Sequence, residues 1–111
     1  NKDVNKENSL DNICNLLTTN LNHRLDIRKF CTEHQLQYEN FRKVFTNRMG
    51  ISPLQYIIRA RLDKAQHLLL SQKQLSVDSI SLQLGYNNAN EFSSQFKKNF
   101  KISPLQYRKQ N

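Results

Sequence analysis

The chain has 111 residues, 37% of them apolar, which suits one small domain or two very small lobes but not an enclosed ligand cavity as well. Its 17 basic and 9 acidic side chains leave a formal charge of +8, with two cysteines and two glycines. No apolar run approaches the ~18 residues of a membrane span, no signal-peptide pattern is visible, and two cysteines make no disulfide framework. The chain opens on Asn rather than Met, so it is expected to be a fragment or a processed form.

Residues 1–8 lack an apolar period and are expected to be a flexible tail. A helix is then expected from Ser9 as N-cap, on Leu10, Ile13, Leu17 and Leu21. Asp26 caps a short second helix, Ile27 to about His34, with Ile27, Phe30 and Cys31 inward. A third runs from about Tyr38 to Arg48 on Phe41, Val44 and Phe45, and Gly50 follows where a left-handed C-terminal cap favours glycine. Ser52-Pro53 is a cap with proline at the first helical position. It opens the longest helix, 52–71, roughly 27 Å at ~1.5 Å per residue, with a stripe of Leu54, Ile58, Leu62, Ala65 and Leu69.

The pattern then restarts. Ser76 caps a helix from Val77 to Leu84 with Ile80, Ser81 and Leu84 inward. Gly85 ends it, Asn87 or Asn88 caps the helix carrying Phe92 and Phe96, and Ser103-Pro104 opens a short last helix. The hexapeptide ISPLQY occurs at 51–56 and again at 102–107, an offset of 51 that also aligns Phe41 with Phe92 and Phe45 with Phe96. Ile27, Phe30 and Cys31 match Val77, Ile80 and Ser81 at an offset of 50, so the second turn is one residue longer. Cys31 and Ser81 supply the small side chain that two closely crossing helices need. The expected fold is all-α, about seven helices: two helix-turn-helix lobes, 9–50 and 76–109, joined by the long helix.

Charge follows the repeat. Residues 41–64 carry six basic side chains against one acid and residues 92–111 five against none, so each segment is +5 and the remainder slightly acidic. A basic stripe duplicated with a structural unit points to a polyanionic partner. His23, His34 and His67 are scattered, with no metal or catalytic spacing, and Cys14 and Cys31 sit at core positions. No carboxylate pair, nucleophile–base set or glycine-rich phosphate loop is present, so neither an enzyme, a metal site nor a cofactor is expected. A helical protein-interaction module is the alternative class; it would present an exposed apolar groove.

The run SPLQYIIRARLDKAQHLL at 52–69 and the run ISLQLGYNNANEFSSQFKKNFKISPLQYR at 80–108 resemble the AraC/XylS-type bacterial transcription regulators, in their C-terminal DNA-binding domain. The resemblance covers residues 9–109. Ser81 stands where that family commonly has Ala and Lys101 where Gly is common, so the second loop is expected to be mildly strained. The resemblance implies sequence-specific binding of double-stranded DNA, with the second helix of each lobe in successive major grooves. It also implies RNA polymerase as a partner, an effector or sensor domain outside these residues, and a cytoplasmic, nucleoid-associated protein.

With Phe41, Val44 and Phe45 inward, Tyr38, Glu39, Arg42, Lys43 and Thr46 face outward on the first recognition helix. Arg42 can bridge guanine O6 and N7; Glu39 either accepts from cytosine or orients Arg42 by an ion pair. The equivalent second set is Ala89, Asn90, Ser93, Ser94 and Lys97, where Asn90 suits adenine and Ala89 a thymine methyl. Phosphate contacts are expected from Arg48, Ser52 and Arg59 in one lobe, and Lys97, Lys98, Lys101, Ser103 and Arg108 in the other. Arg61, one residue before Leu62, is expected to turn inward toward an acid such as Asp63 or Asp78.

Overall fold

A computed structural model describes residues 2–19, 21 and 24–111, with side chains from residue 10 onward; His23 lies outside the described residues. Every regular element among them is α-helical: α1 (Lys2–Leu17), α2 (Ile27–Glu33), α3 (Tyr38–Met49), α4 (Pro53–Ser71), α5 (Val77–Gln83), α6 (Ala89–Phe100) and α7 (Pro104–Gln110). The chain forms two compact units, Asn1–Asn20 with Leu25–Arg59, and Leu21–Arg24 with Ala60–Asn111. The division falls inside α4.

In the first unit Asp26 Oδ1 accepts from the Arg28 and Lys29 N–H groups at 3.1 and 3.2 Å, satisfying donors that the start of α2 leaves open. Between α2 and α3 the Leu36 N–H donates to the Cys31 carbonyl at 2.7 Å, and Gln35 sits at φ 55° in the left-handed region. Gln37 caps α3 by accepting from the Asn40 N–H at 2.7 Å. The core gathers Ile13, Cys14 and Leu17 from α1, Phe30 and Cys31 from α2, Phe41 and Phe45 from α3, and Ile57 from α4. Phe45 touches Phe41 at 5.7 Å between ring centroids and meets Tyr56 edge-on at 5.5 Å. Each such ring removed from water contributes ~1.5–3 kcal/mol, the main term holding so small a lobe. Gly50 closes α3 at φ 82°, donating its N–H to the Thr46 carbonyl.

The second unit repeats this plan. Ser76 caps α5 and Asn88 caps α6 through the Ser79 and Glu91 N–H groups. The Tyr86 N–H reaches the Ser81 carbonyl at 3.1 Å, the counterpart of the Leu36–Cys31 bond, and Gly85 takes the left-handed position at φ 85°. Cys31 and Ser81 are both fully enclosed, as the crossing of paired helices requires. Phe96 contacts Phe92, Phe100 and Tyr107 at 5.8, 4.7 and 5.7 Å. Leu62, Ala65 and Leu69 of α4 complete the core with Ile80 and Leu84. Lys101 closes α6 at φ 73°, so the left-handed strain expected there is present.

Three expectations need correction. α1 begins at Lys2, not after a Ser9 cap, so residues 2–8 are helical and Ser9 is internal. That stretch has no glycine or proline to stop a helix; it lacks only an apolar stripe, and a stripe reports burial rather than helicity. Val44 is 45% exposed. At about 100° per residue it lies about 80° from the Phe41–Phe45 direction, on the edge of the buried face. Leu54 is 52% exposed and Ile58 half-buried, while Ile57 is buried. The stripe extrapolated back from Leu62 therefore misses the face that α4 buries in the first unit. Arg61 turns inward as expected: it is buried, its Nε donates to the Leu21 carbonyl at 3.1 Å and its guanidinium lies 5.5 Å from the Tyr86 ring centre.

Candidate nucleic-acid interface

The turns explain how a second helix is presented in each unit. Four residues, His34–Gln37, separate α2 from α3, and five, Leu84–Asn88, separate α5 from α6. In both, one residue in the left-handed region reverses the chain, and an amide side chain, Gln37 or Asn88, starts the next helix. Each second helix then packs through two phenylalanines four residues apart and turns its opposite side outward.

On α3, Glu39, Arg42, Lys43 and Thr46 are exposed and Tyr38 is half-buried. Arg42 Nη2 donates to Glu39 Oε1 at 3.0 Å, one helical turn apart. The Arg42 guanidinium holds the Glu39 carboxyl below its ordinary range, and Glu39 pushes Arg42 up in return. Glu39 thus orients Arg42, and the guanidinium keeps further N–H donors for a ligand. Tyr38 lies under the Arg28 guanidinium at 4.0 Å from the ring centre, a contact from α2 that no sequence period signals. A cleft of about 230 Å³ beside these residues is lined by Ile27, Tyr38, Arg42, Ser52, Pro53 and Leu54.

On α6, Asn90 and Ser94 are exposed, and Ala89 and Ser93 are half-buried. This face is short and neutral until Lys97 and Lys98, which are exposed in the last turn. Arg48 occupies the matching last turn of α3. Basic residues at these helix ends also favour the carbonyl-rich terminus, so part of their role is local. Arg59 on α4 is exposed as well.

The two caps expected to face phosphate are both formed. Ser52 Oγ accepts from the Gln55 N–H at 3.1 Å. Ser103 makes a reciprocal capping box with Gln106, its Oγ accepting from the Gln106 N–H at 3.1 Å and its own N–H donating to Gln106 Oε1 at 3.3 Å. Lys101 is exposed, its Nζ 3.5 Å from the Lys98 carbonyl. Arg108 is placed differently from the expectation. Its Nε donates to the Leu69 carbonyl at 3.0 Å and its Nη2 to the Gln72 carbonyl at 3.2 Å. It thereby caps the end of α4, and its principal contacts are internal rather than directed to solvent.

This arrangement of two helix-turn-helix units, each with an outward polar second helix, matches known proteins. A family model described as a helix-turn-helix domain covers residues 30–110. The chain belongs to the AraC-type DNA-binding domains. It is 31% identical over 108 residues to the transcriptional activator RhaR of Mannheimia succiniciproducens, covering 97% of this chain and 39% of that protein. It is 40% identical over 70 residues to an HTH-type transcriptional regulator of Haemophilus influenzae, 63% of this chain and 23% of that one. The chain thus spans about two fifths or less of these relatives.

Among solved structures, an AraC-type DNA-binding-domain protein from Chromobacterium violaceum superposes with a TM-score of 0.84 at 24% identity, covering 96% of this chain and 95% of that one. The DNA-binding domain of the global transcriptional factor AdpA, solved with a target DNA, superposes at 0.76 and 25% identity, covering 84% and 83%. An AraC-type domain is a DNA-binding domain of transcription regulators, and the all-helical architecture described above is that fold.

Proposed function

We propose that this domain reads double-stranded DNA by sequence, with α3 and α6 as recognition helices entering successive major grooves, in a bacterial transcription regulator. The observation that carries the reading is the duplicated unit itself. In each copy the second helix presents mostly polar side chains outward, with Val44 on α3 and Ala89 on α6 among them, and runs into exposed basic side chains. A solvated charged surface has no reason to be duplicated in register with two capped helix starts.

Within that reading Arg42 is the principal base reader, held by Glu39 for a bidentate contact with guanine, and Lys43, Tyr38 and Thr46 flank it. Val44, exposed on the edge of α3, adds an apolar group suited to a thymine methyl. On α6, Asn90 is matched to adenine, while Ser93, Ser94 and Ala89 are short and permissive. Arg48, Ser52 and Arg59 in one unit, and Lys97, Lys98, Lys101 and Ser103 in the other, hold phosphates. Arg108 contributes mainly by fixing α7 against α4. The role is a binding module rather than an enzyme, active in the bacterial cytoplasm with RNA polymerase as the further partner. An effector or sensor domain belongs to the part of the protein outside these residues.

Salt dependence and binding-site selection test this. With ~6–8 phosphates neutralised, log K falls against log salt with a slope of about −5 to −7, and one duplex sequence is enriched over random DNA with a footprint spanning two grooves. A slope near zero, or no enrichment, overturns the reading.

A further inference from the structure

The first turn of α6 carries a carboxylate, Glu91, directly beside Asn90. An acid at the leading end of a helix suits the helix dipole but opposes a polyanion approaching that end. The second unit deals with this through a residue far away in sequence. Leu21–Arg24 belongs to this unit, where the Leu21 carbonyl accepts from Arg61 Nε at 3.1 Å. Arg24 Nη2 forms an ion pair with Glu91 Oε2. The other carboxylate oxygen, Oε1, accepts from the Asn87 N–H at 3.3 Å, and the Glu91 N–H donates to Asn88 Oδ1 at 2.9 Å. The carboxylate therefore ties the turn before α6 to Arg24, and exposed Asn90 lies in sequence between the two bonded residues Asn88 and Glu91. Buried Arg61 lies beside Tyr86, whose hydroxyl donates to Gln95 Oε1 at 2.7 Å further along α6.

Among the described residues the counterpart positions of the first unit carry no such pair. The counterparts of Glu91 and Arg24, at offsets of 51 and 50, are Asn40 and Gln74, both uncharged. The α3 start carries its acid one residue earlier, as Glu39, and pairs it with Arg42 on the same helix.

We infer that Arg24, which lies outside both paired helices α2–α3 and α5–α6, is a positioning residue for DNA reading by α6: it neutralises Glu91 and fixes the turn that precedes Asn90. This rests on the proposal that α6 enters a DNA groove. It adds a specificity role to a residue that no recognition-helix pattern would select. Arg24 is half exposed, so a direct phosphate contact is the competing account, and the two differ in what a second substitution does.

The experiment measures affinity and base preference of the whole chain on its selected duplex, for the unaltered protein, Arg24→Ala and Arg24→Ala/Glu91→Gln. The single substitution is expected to weaken binding roughly three- to tenfold at moderate salt and to relax preference only at the base pairs facing α6. The double substitution removes the unpaired charge and is expected to regain most of the affinity. Failure of Glu91→Gln to rescue, or an equal loss on all sequences with a salt slope reduced by about one, assigns Arg24 to phosphate and overturns the inference. Unchanged binding by Arg24→Ala overturns it too. If Arg24→Ala melts below the assay temperature, Arg24→Gln, which keeps much of the side-chain length, decides by the same comparison. Absence of sequence-selective binding by the unaltered chain overturns the parent proposal, a result separable from all of these.

Discussion

The two units share a plan and divide its difficult positions differently. Among the described residues each contains two in the left-handed region, one in the turn between the paired helices and one closing the second helix. The first unit places Gln35 in the turn and Gly50 at the close; the second places Gly85 in the turn and Lys101 at the close. The chain's two glycines are thus shared one to each unit, at opposite positions. A left-handed residue with a side chain costs on the order of 1 kcal/mol, which packing around a fixed backbone can carry. The lesson is that the geometry is set by the helix pair and its core, and glycine eases it without creating it. The outward faces of the second helices diverge as well: α3 carries Glu39 and Arg42 paired on the same helix, whereas α6 carries short uncharged side chains beside Glu91, which is paired with Arg24 from outside the helix.

The cores offer the most severe way to break this equivalence. Phe45→Ala and Phe96→Ala are each expected to destabilise by ~3–5 kcal/mol in chemical denaturation, enough to unfold a lobe of this size. Phe96 should be the costlier, because it packs on Phe92, Phe100 and Tyr107 whereas Phe45 packs on Phe41 and Tyr56. Hydrogen exchange would show whether each loss stays within its own unit. Identical costs would mean that the extra ring contact contributes nothing.

Binding sharpens the contrast between the two faces. Arg42→Ala is expected to lose ~1–3 kcal/mol on the selected duplex and to relax one base pair, while Ser93→Ala should change little. Lys98→Ala should weaken all sequences alike. Site selection with these variants would expose a purely electrostatic Arg42 by a loss that is independent of sequence.

Glycine exchange is a gentler probe. Gln35→Gly and Lys101→Gly should each stabilise by roughly 0.5–1 kcal/mol, and Gly50→Ala and Gly85→Ala should each cost about as much or more. At Gly50 an added Cβ meets no atom within 4 Å, so any loss there is backbone strain alone. Thermal melts of the four variants check the signs, and a destabilising Gln35→Gly would mean that its side chain contributes more than its backbone costs.

The smallest effect is on pH. The Glu39 and Glu91 carboxyls are held below their ordinary value, chiefly by hydrogen bonds from Arg42 and Arg24. A depressed folded value means that the contribution is present above the unfolded value and is lost as pH falls through the folded one. Carboxyl NMR titrations should place both midpoints below that of an unpaired glutamate. Arg42→Ala should raise only that of Glu39, and Arg24→Ala only that of Glu91.

Much of this was legible in the residues. The Asp26, Ser76 and Ser103 caps, an asparagine cap at 87 or 88, the Gly50 closure and the paired phenylalanines all follow from local chemistry that a short window contains, whereas the strained closure at Lys101 was implied only by the family resemblance. The duplicated hexapeptide exposed the two-unit plan, and the outward faces of α3 and α6 follow from helical spacing once the phenylalanines are placed. Val44 and Leu54 were misplaced because alternation at three and four residues locates a face only to within about 80°, too coarse to separate its centre from its edge. The burial of Arg61 was legible from its place before Leu62, but its Leu21 partner, the partners of Arg108 and the Arg24–Glu91 pair were not, for a different reason. These partners are carbonyls or side chains about 40 or more residues away, and no periodicity encodes a carbonyl.

Arg108 also bears on how the second unit withstands shortening. Its two hydrogen bonds to Leu69 and Gln72 join the final turn of α4 to a helix of only seven residues. A stop codon at position 108 would remove that latch while leaving every phenylalanine in place. The last turn of α4 would then fray, Tyr107 would lose its seat on Phe96, and a protease would find cleavable backbone on both sides of the gap.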